Sequence, residues 1–260
     1  MGDPTWPRRS ERSAQDWATS LGPVFQRFTE ATQDSGNLAY GVRVGDERYF
    51  IKTAGTETSG PARLSQRVGW LRDAAAMHSW VQHRALPPLL AVVDTETGPA
   101  LVYPWLDAVQ LRGKEAILNR FWRRPLAERR AAAEELLTLH AALAEEDYVA
   151  VDLYDGCLMY DFAACRLYVI DLDMYRRGAF RNDMGRMYGS GRFMPPEQLA
   201  LGARVDHRST VFLLGRLLAH LIPEPGAGLA AVIERACAEE PEARYQEPAA
   251  LLRAFRATAT

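Results

Sequence analysis

Apolar and polar side chains alternate over much of the first third of the chain. Leu38–Val44 reads as a strand, Gly45-Asp46-Glu47 as a turn and Arg48–Lys52 as a second strand, so together they predict a hairpin. A loop rich in Gly, Thr and Ser follows, from Thr53 to Pro61. The period then changes. Leu64, Val68, Leu71 and Ala75 share one stripe of a helix predicted over Ala62–Gln82, and Pro87-Pro88 ends it. Leu89–Val93 and Ala100–Tyr103 predict two more strands around a turn at Asp94–Pro99, and Pro104-Trp105-Leu106 leads into a helical remainder. Pro125 suits a helix start, and Leu126–Ala144 forms a long amphipathic stretch with Leu136, Leu137, His140 and Leu143 inward. Two short apolar pieces, Tyr148–Leu153 and Leu167–Leu172, each carry an aspartate as their second-last residue. Met174–Pro195 reads as a loop, and helices are expected around Val211–Leu221, Leu229–Ala238 and Pro248–Ala257. Residues 1–22 show few periodic apolar positions and are expected to form a mobile extension with one short helix around Ala14–Thr19. The pattern predicts an α+β, bilobal chain: extension 1–22, strand-rich lobe 23–103, hinge 104–106 and mainly helical lobe 107–260.

Composition narrows the function classes. The 260 residues carry a net charge of −2, which argues against nucleic acid or an anionic membrane surface as the main partner. The longest apolar stretch, near Val211–Ile222, is interrupted by Arg216 and His220 and is too short to span a bilayer. No apolar run backs the N-terminal charges, so no secretory signal is expected. Cys157, Cys165 and Cys237 are too few and too scattered for a disulfide framework or a zinc site, which points to a reducing cytoplasm. Only Lys52 and Lys114 are lysines. Codon bias accounts for such a composition in general, but against that background a retained lysine draws attention, because arginine cannot replace a compact ammonium at every site.

Three residues stand in a telling order: Lys52 on a predicted strand, then Asp152, then Asp171. Around the aspartates run Asp152-Leu153-Tyr154-Asp155-Gly156-Cys157 and Val169-Ile170-Asp171-Leu172-Asp173. Three further pieces follow: Gly189-Ser190-Gly191-Arg192-Phe193-Met194-Pro195-Pro196-Glu197, Asp206-His207-Arg208-Ser209-Thr210-Val211 and Pro241-Glu242-Ala243-Arg244-Tyr245. In order and spacing they resemble the catalytic loop, the metal-binding turn, the end of the activation segment and the later structural elements of a protein kinase. Residues 25–257 are similar to bacterial members of the eukaryotic-like (Hanks-type) Ser/Thr protein kinase family, in a small divergent subgroup.

That resemblance implies a kinase-like bilobal fold, with ATP and Mg2+ as cofactors. Phosphoryl transfer is mostly positioning and charge neutralisation. Lys52 would reach the phosphates, with Gly36, Tyr103 and Trp105 completing the nucleotide site. Asp171, aided by Asp173, would hold the hard cation, and Asp152 would orient the attacking hydroxyl and take its proton. Ser190 and Arg192 would lie in the substrate segment, and Glu197 with Arg244 would form a buried structural ion pair. Asp73 is the nearest acid to the position expected to pair with Lys52.

The chain departs from the family at several points. Cys157 occupies the metal-binding asparagine's position, and a thiol suits Mg2+ poorly. Val151 replaces the arginine before the catalytic aspartate. Thr210 replaces the aspartate that anchors the catalytic loop, leaving a hydroxyl to accept some of those hydrogen bonds. Ser35-Gly36-Asn37 with Gly41 is all that remains of a glycine-rich phosphate loop. Arg176, Arg177, Arg181, Arg186 and Arg192 suit an acidic partner or substrate. The expected activity is transfer of the γ-phosphate of ATP to a Ser/Thr hydroxyl of a protein. Two alternatives stand beside it: a small-molecule hydroxyl acceptor such as an antibiotic or metabolite, and a pseudokinase that binds without turnover.

Overall fold

A five-stranded antiparallel sheet organises the N-terminal part of the chain in the computed structural model, which describes residues 5–29, 36–60 and 62–258. The fold is α+β, with seven helices among the described residues. The chain divides into two units. One runs to Gln82 and resumes over Pro87–Leu106; the other comprises His83–Leu86 and Asp107 onward. The expected hinge, Pro104–Leu106, thus belongs to the first unit. His83–Leu86 joins the second, where the Val169 N–H donates to the Ala85 carbonyl at 2.8 Å.

The first unit contains α1 (Ala14–Ser20), β1 (Val24–Phe28), β2 (Leu38–Val44), β3 (Glu47–Thr53), α2 (Leu64–Trp80), β4 (Ala91–Thr95) and β5 (Gly98–Pro104). Its strand order is β1-β2-β3-β5-β4. The predicted hairpin is β2–β3, closed with Val44 opposite Glu47 and with Gly45 at φ +62°, a conformation that favours glycine. Strand alternation separates two faces. Leu38, Tyr40, Val42, Tyr49, Ile51, Ala100 and Val102 form a core with Trp17 and Ala18 of α1. On the other face Leu101 packs with Leu71 and Ala74 of α2.

Residues 5–22 overturn the expectation of a mobile extension. Trp17 is buried, and Trp6 meets it edge-on with centroids 6.2 Å apart while meeting Tyr49 at 5.0 Å. Between them the backbone runs along β4: the Asp94 N–H donates to Arg8 O at 3.0 Å, and the Ser10 N–H to Asp94 O at 2.8 Å. The Ser13 side chain caps α1 by accepting the Asp16 N–H at 3.1 Å. Two indoles and a sheet edge anchor this segment, and neither leaves a periodic trace in sequence.

The second unit contains β6 (Val109–Gln110), α3 (Glu115–Trp122), α4 (Leu126–Glu145), β7 (Tyr148–Val149), β8 (Leu158–Asp161) and β9 (Arg166–Val169). It continues with β10 (Arg176–Arg177), β11 (Phe180–Arg181), β12 (Arg204–Val205), α5 (His207–Leu221), α6 (Ala227–Ala236) and α7 (Pro248–Ala257). α4 begins after Pro125 and buries Leu136, Leu137, His140 and Leu143, as its stripe predicts. α5 and α7 pack against it, and α6 against α5 and α7. β6-β8-β9 form a small antiparallel sheet, and β7–β10 and β11–β12 are two-stranded ladders. The apolar pieces before Asp152 and Asp171 are strands only in part, because β7 ends at Val149 and β9 at Val169. Both aspartates therefore lie in loops just beyond strand ends. Among the described residues no helix is long and apolar enough to cross a membrane.

Candidate functional site

In the first unit Lys52 sits on β3 between Ala39 and Leu101, with 6% of its surface exposed. It shares its face with Phe50, which lies opposite Tyr103, ring centroids 6.4 Å apart. Phe28 meets Phe50 at 5.6 Å and Trp105 at 6.4 Å, and Phe25 meets Trp105 at 4.8 Å. Gly41 lies beneath this aromatic group within β2. A Cβ there would stand 2.8 Å from both the Phe25 and Trp105 rings, so packing explains that glycine. The Tyr103 hydroxyl lies 3.5 Å from His78 Nε2, and burial holds the His78 pKa down at about 4. Lys52 and Tyr103 thus belong to one sheet, and Trp105 follows β5 directly, its N–H donating to Arg48 O at 2.9 Å.

One expectation for this unit changes, and one residue gains a packing account. Asp73 is exposed on α2 and forms no ion pair among the described residues, so it is not the partner of Lys52. The helix turns Leu71, Ala74 and Met77 inward, which leaves Asp73 outward. Gly36 (φ +84°) is buried, and a Cβ there would meet Gly60 Cα at 2.9 Å and Arg67 Nη1 at 3.0 Å. Close packing therefore accounts for its identity. Ser35 lies outside the described residues. Arg67, which sequence reasoning missed, is fully buried. Its Nε donates to Ala54 O at 2.7 Å, and its Nη atoms donate to the carbonyls of Ala62 and Thr56. Burial lowers its pKa, opposed by the charge of Glu57. The spacing Leu64, Arg67, Val68, Leu71 already places it on the apolar stripe.

In the second unit Asp152 and Asp171 adopt φ of +60° and +65°, uncommon for non-glycine residues. The Cys157 thiol donates to Asp152 O at 3.2 Å, and the Ile170 N–H to Cys157 O at 2.8 Å, tying the two aspartate loops together. Tyr154 and Tyr175 both have raised pKa values; burial is the main cause, and the charges of Asp152 and Asp171 add to it in each case. The charges of both carboxylates thus act on the same two phenols. Asp173 is buried close by in sequence, while Asp171 is exposed.

The scaffold beneath is fixed at Ala150. Its N–H donates to Thr210 Oγ1 at 3.0 Å, and its carbonyl accepts from Gln198 Nε2 at 3.2 Å. Behind the loop, His140 Nδ1 lies 2.8 Å from Leu136 O and Nε2 lies 2.8 Å from the Tyr175 hydroxyl. A carbonyl only accepts, so Nδ1 carries the proton and Nε2 accepts from Tyr175. Burial holds His140 neutral, with its pKa at about 4.

The segment expected to meet a substrate lies against this loop. Gly189 (φ +132°) approaches Asp152 so closely that an added Cβ would stand 3.6 Å from its Cα. The Ser190 carbonyl accepts the Phe193 N–H at 2.9 Å, and Arg192 Nη2 meets Asp155 Oδ2 at 2.7 Å. Glu197 and Arg244 form the ion pair expected of them, at 2.7 and 3.2 Å, with 7% and 0% of their side-chain surfaces exposed. A comparison with protein-family models finds no match, and a comparison with curated proteins finds none. Ser209 Oγ also donates to Glu197 at 2.7 Å, and Arg244 donates to the carbonyls of Ala238, Glu239 and Arg208. Of the expected arginine cluster, Arg176 stacks over Phe180 at 4.4 Å, and Arg177 lies 3.8 Å from Glu146. Among the described residues no group of three or more His, Cys, Asp and Glu side chains is placed to hold a metal ion.

Proposed function

We propose that the chain is a phosphotransferase with a bilobal, protein-kinase-like architecture, moving the γ-phosphate of ATP to a Ser/Thr hydroxyl of a protein. The observation that carries this reading is the pair of cross-tied loops in the second unit. Two non-glycine aspartates hold left-handed backbone there, with Gly189 of the neighbouring segment against the first. Such a conformation costs about 1–3 kcal/mol per residue and persists where the surroundings enforce it, commonly at functional sites.

Asp152 is the candidate base for the acceptor hydroxyl. Mg2+ is commonly held by one or two carboxylates plus substrate phosphates, so Asp171 and Asp173 fit the protein's share of that donor set without a third ligand. The cation would neutralise charge on the transferring phosphate. Lys52 would supply a point charge to the nucleotide phosphates, and the aromatic surface around Tyr103 and Trp105 would receive its base. Cys157 has no place among the ligands in this reading, because its thiol serves the Asp152 carbonyl.

That same thiol favours a second reading, a catalytically silent nucleotide-binding module. Intact-mass measurement after incubation with Mg-ATP decides between them. Wild type is expected to gain about 80 Da per transferred phosphate, while Asp152→Asn and Asp171→Asn gain none and melt as wild type does. ATP binding with no mass gain, and no transfer to added proteins, would support the silent module instead.

A further inference from the structure

Among the described residues, two arginine–carboxylate pairs of the second unit have a buried carboxylate, and they are built differently. Arg244 grips Glu197 with both Nη atoms, and all three of its nitrogens have further carbonyl or carboxylate acceptors in the interior. Arg192 touches Asp155 through a single nitrogen, at 2.7 Å, and 66% of its side chain is exposed. Asp155 is 2% exposed, and its Oδ1 is buried with no hydrogen-bond partner. A carboxylate accepts several hydrogen bonds, and a guanidinium usually meets it with a two-pronged fork. Here the acceptor is buried and half used, while the donor stands mostly in water. Withdrawing Arg192 would cost little at the arginine end and leave an anion ready for another cation.

The position adds meaning. Asp155 follows Asp152 by three residues, and Arg192 follows Gly189, which lies against Asp152, by three. The arginine therefore reaches the loop from the very segment that covers it.

We infer that Asp155 is a cation-receiving subsite for the acceptor, and that Arg192 occupies it when no acceptor is bound. This rests on the phosphotransferase reading and names the acceptor class: a hydroxyl compound bearing a guanidinium or ammonium group near the hydroxyl. A basic peptide and an amino-sugar share that chemistry.

The test is fluorescence anisotropy with a labelled serine peptide carrying two arginines, and with the same peptide carrying neutral citrullines. Arg192→Ala is expected to bind the arginine peptide about tenfold more tightly than wild type, and Asp155→Asn about tenfold more weakly, with the citrulline peptide indifferent to both. Asp155→Asn keeps the side chain's shape, and the neutral Arg192→Gln serves should the alanine variant fold poorly. Kanamycin, titrated against Arg192→Ala and the double variant, reads the amino-sugar source: Asp155-dependent binding of either probe supports the subsite. Equal affinities of all variants for both probes would overturn it. Phosphate transfer to the peptide, measured in parallel, separates the two ideas. Transfer without these binding differences sinks the subsite, whereas Asp155-dependent binding with no transfer by any form sinks the phosphotransferase reading.

Discussion

Thr210 shows how one hydroxyl holds a loop. Its Oγ1 is the acceptor for the buried Ala150 N–H, two residues before Asp152. Thr210→Val keeps the volume and removes the acceptor, leaving a buried donor unsatisfied at a cost of about 1–3 kcal/mol. Urea unfolding should show that loss for valine and little change for Thr210→Ser; equal stability of all three would show that the bond contributes nothing. At this scale the sequence was legible wherever a motif fixed two residues at once. The motifs pair Glu197 with Arg244, and the geometry joins them twice over. Asp73 and Arg67 were not legible, because they differ by a rotation about the helix axis. The expected acid faces outward, and an arginine faces inward to hold three carbonyls. A charged residue on an apolar stripe was the available signal.

Among the elements, the strands and long helices follow their periodicity closely, since burial on one face dictates the pattern. β2, β3, β5, α2 and α4 all lie where alternation or a helical stripe places them. α3 leaves little trace in the pattern: eight residues give barely two turns, and only Phe121 is buried, so the period has no room to declare itself. α1 was located, but its attachment was not, because two tryptophans eleven residues apart carry it. Trp17→Ala removes a large buried ring from the sheet core and should cost about 3–5 kcal/mol. Thermal unfolding would register this as a large fall in Tm, and an unchanged Tm would return residues 5–22 to the status of a loose extension.

For the whole molecule, acid acts on both units through one kind of group. His78 in the first and His140 in the second are held neutral by burial, each with a pKa at about 4. In the unfolded chain both titrate near pH 6.5. Between those values the unfolded state binds protons that the folded state refuses, so stability falls as pH drops from about 6.5 to about 4, by roughly 3 kcal/mol for each histidine. Below that window their contribution levels off. Denaturant midpoints measured across this range should decline less steeply for His140→Gln than for wild type, and parallel curves would contradict a neutral His140. The N-terminal segment carries a different consequence for the intact protein. β4 ends the sheet, and Val92 on it and Leu90 just before it are exposed beside backbone that Arg8–Arg12 pairs with at Asp94 and Glu96. A chain trimmed ahead of α1 would present an apolar open edge, a template for strand-to-strand stacking between copies. Residues 8–12 are therefore expected to keep the protein monodisperse at high concentration by covering that edge, whatever else they do.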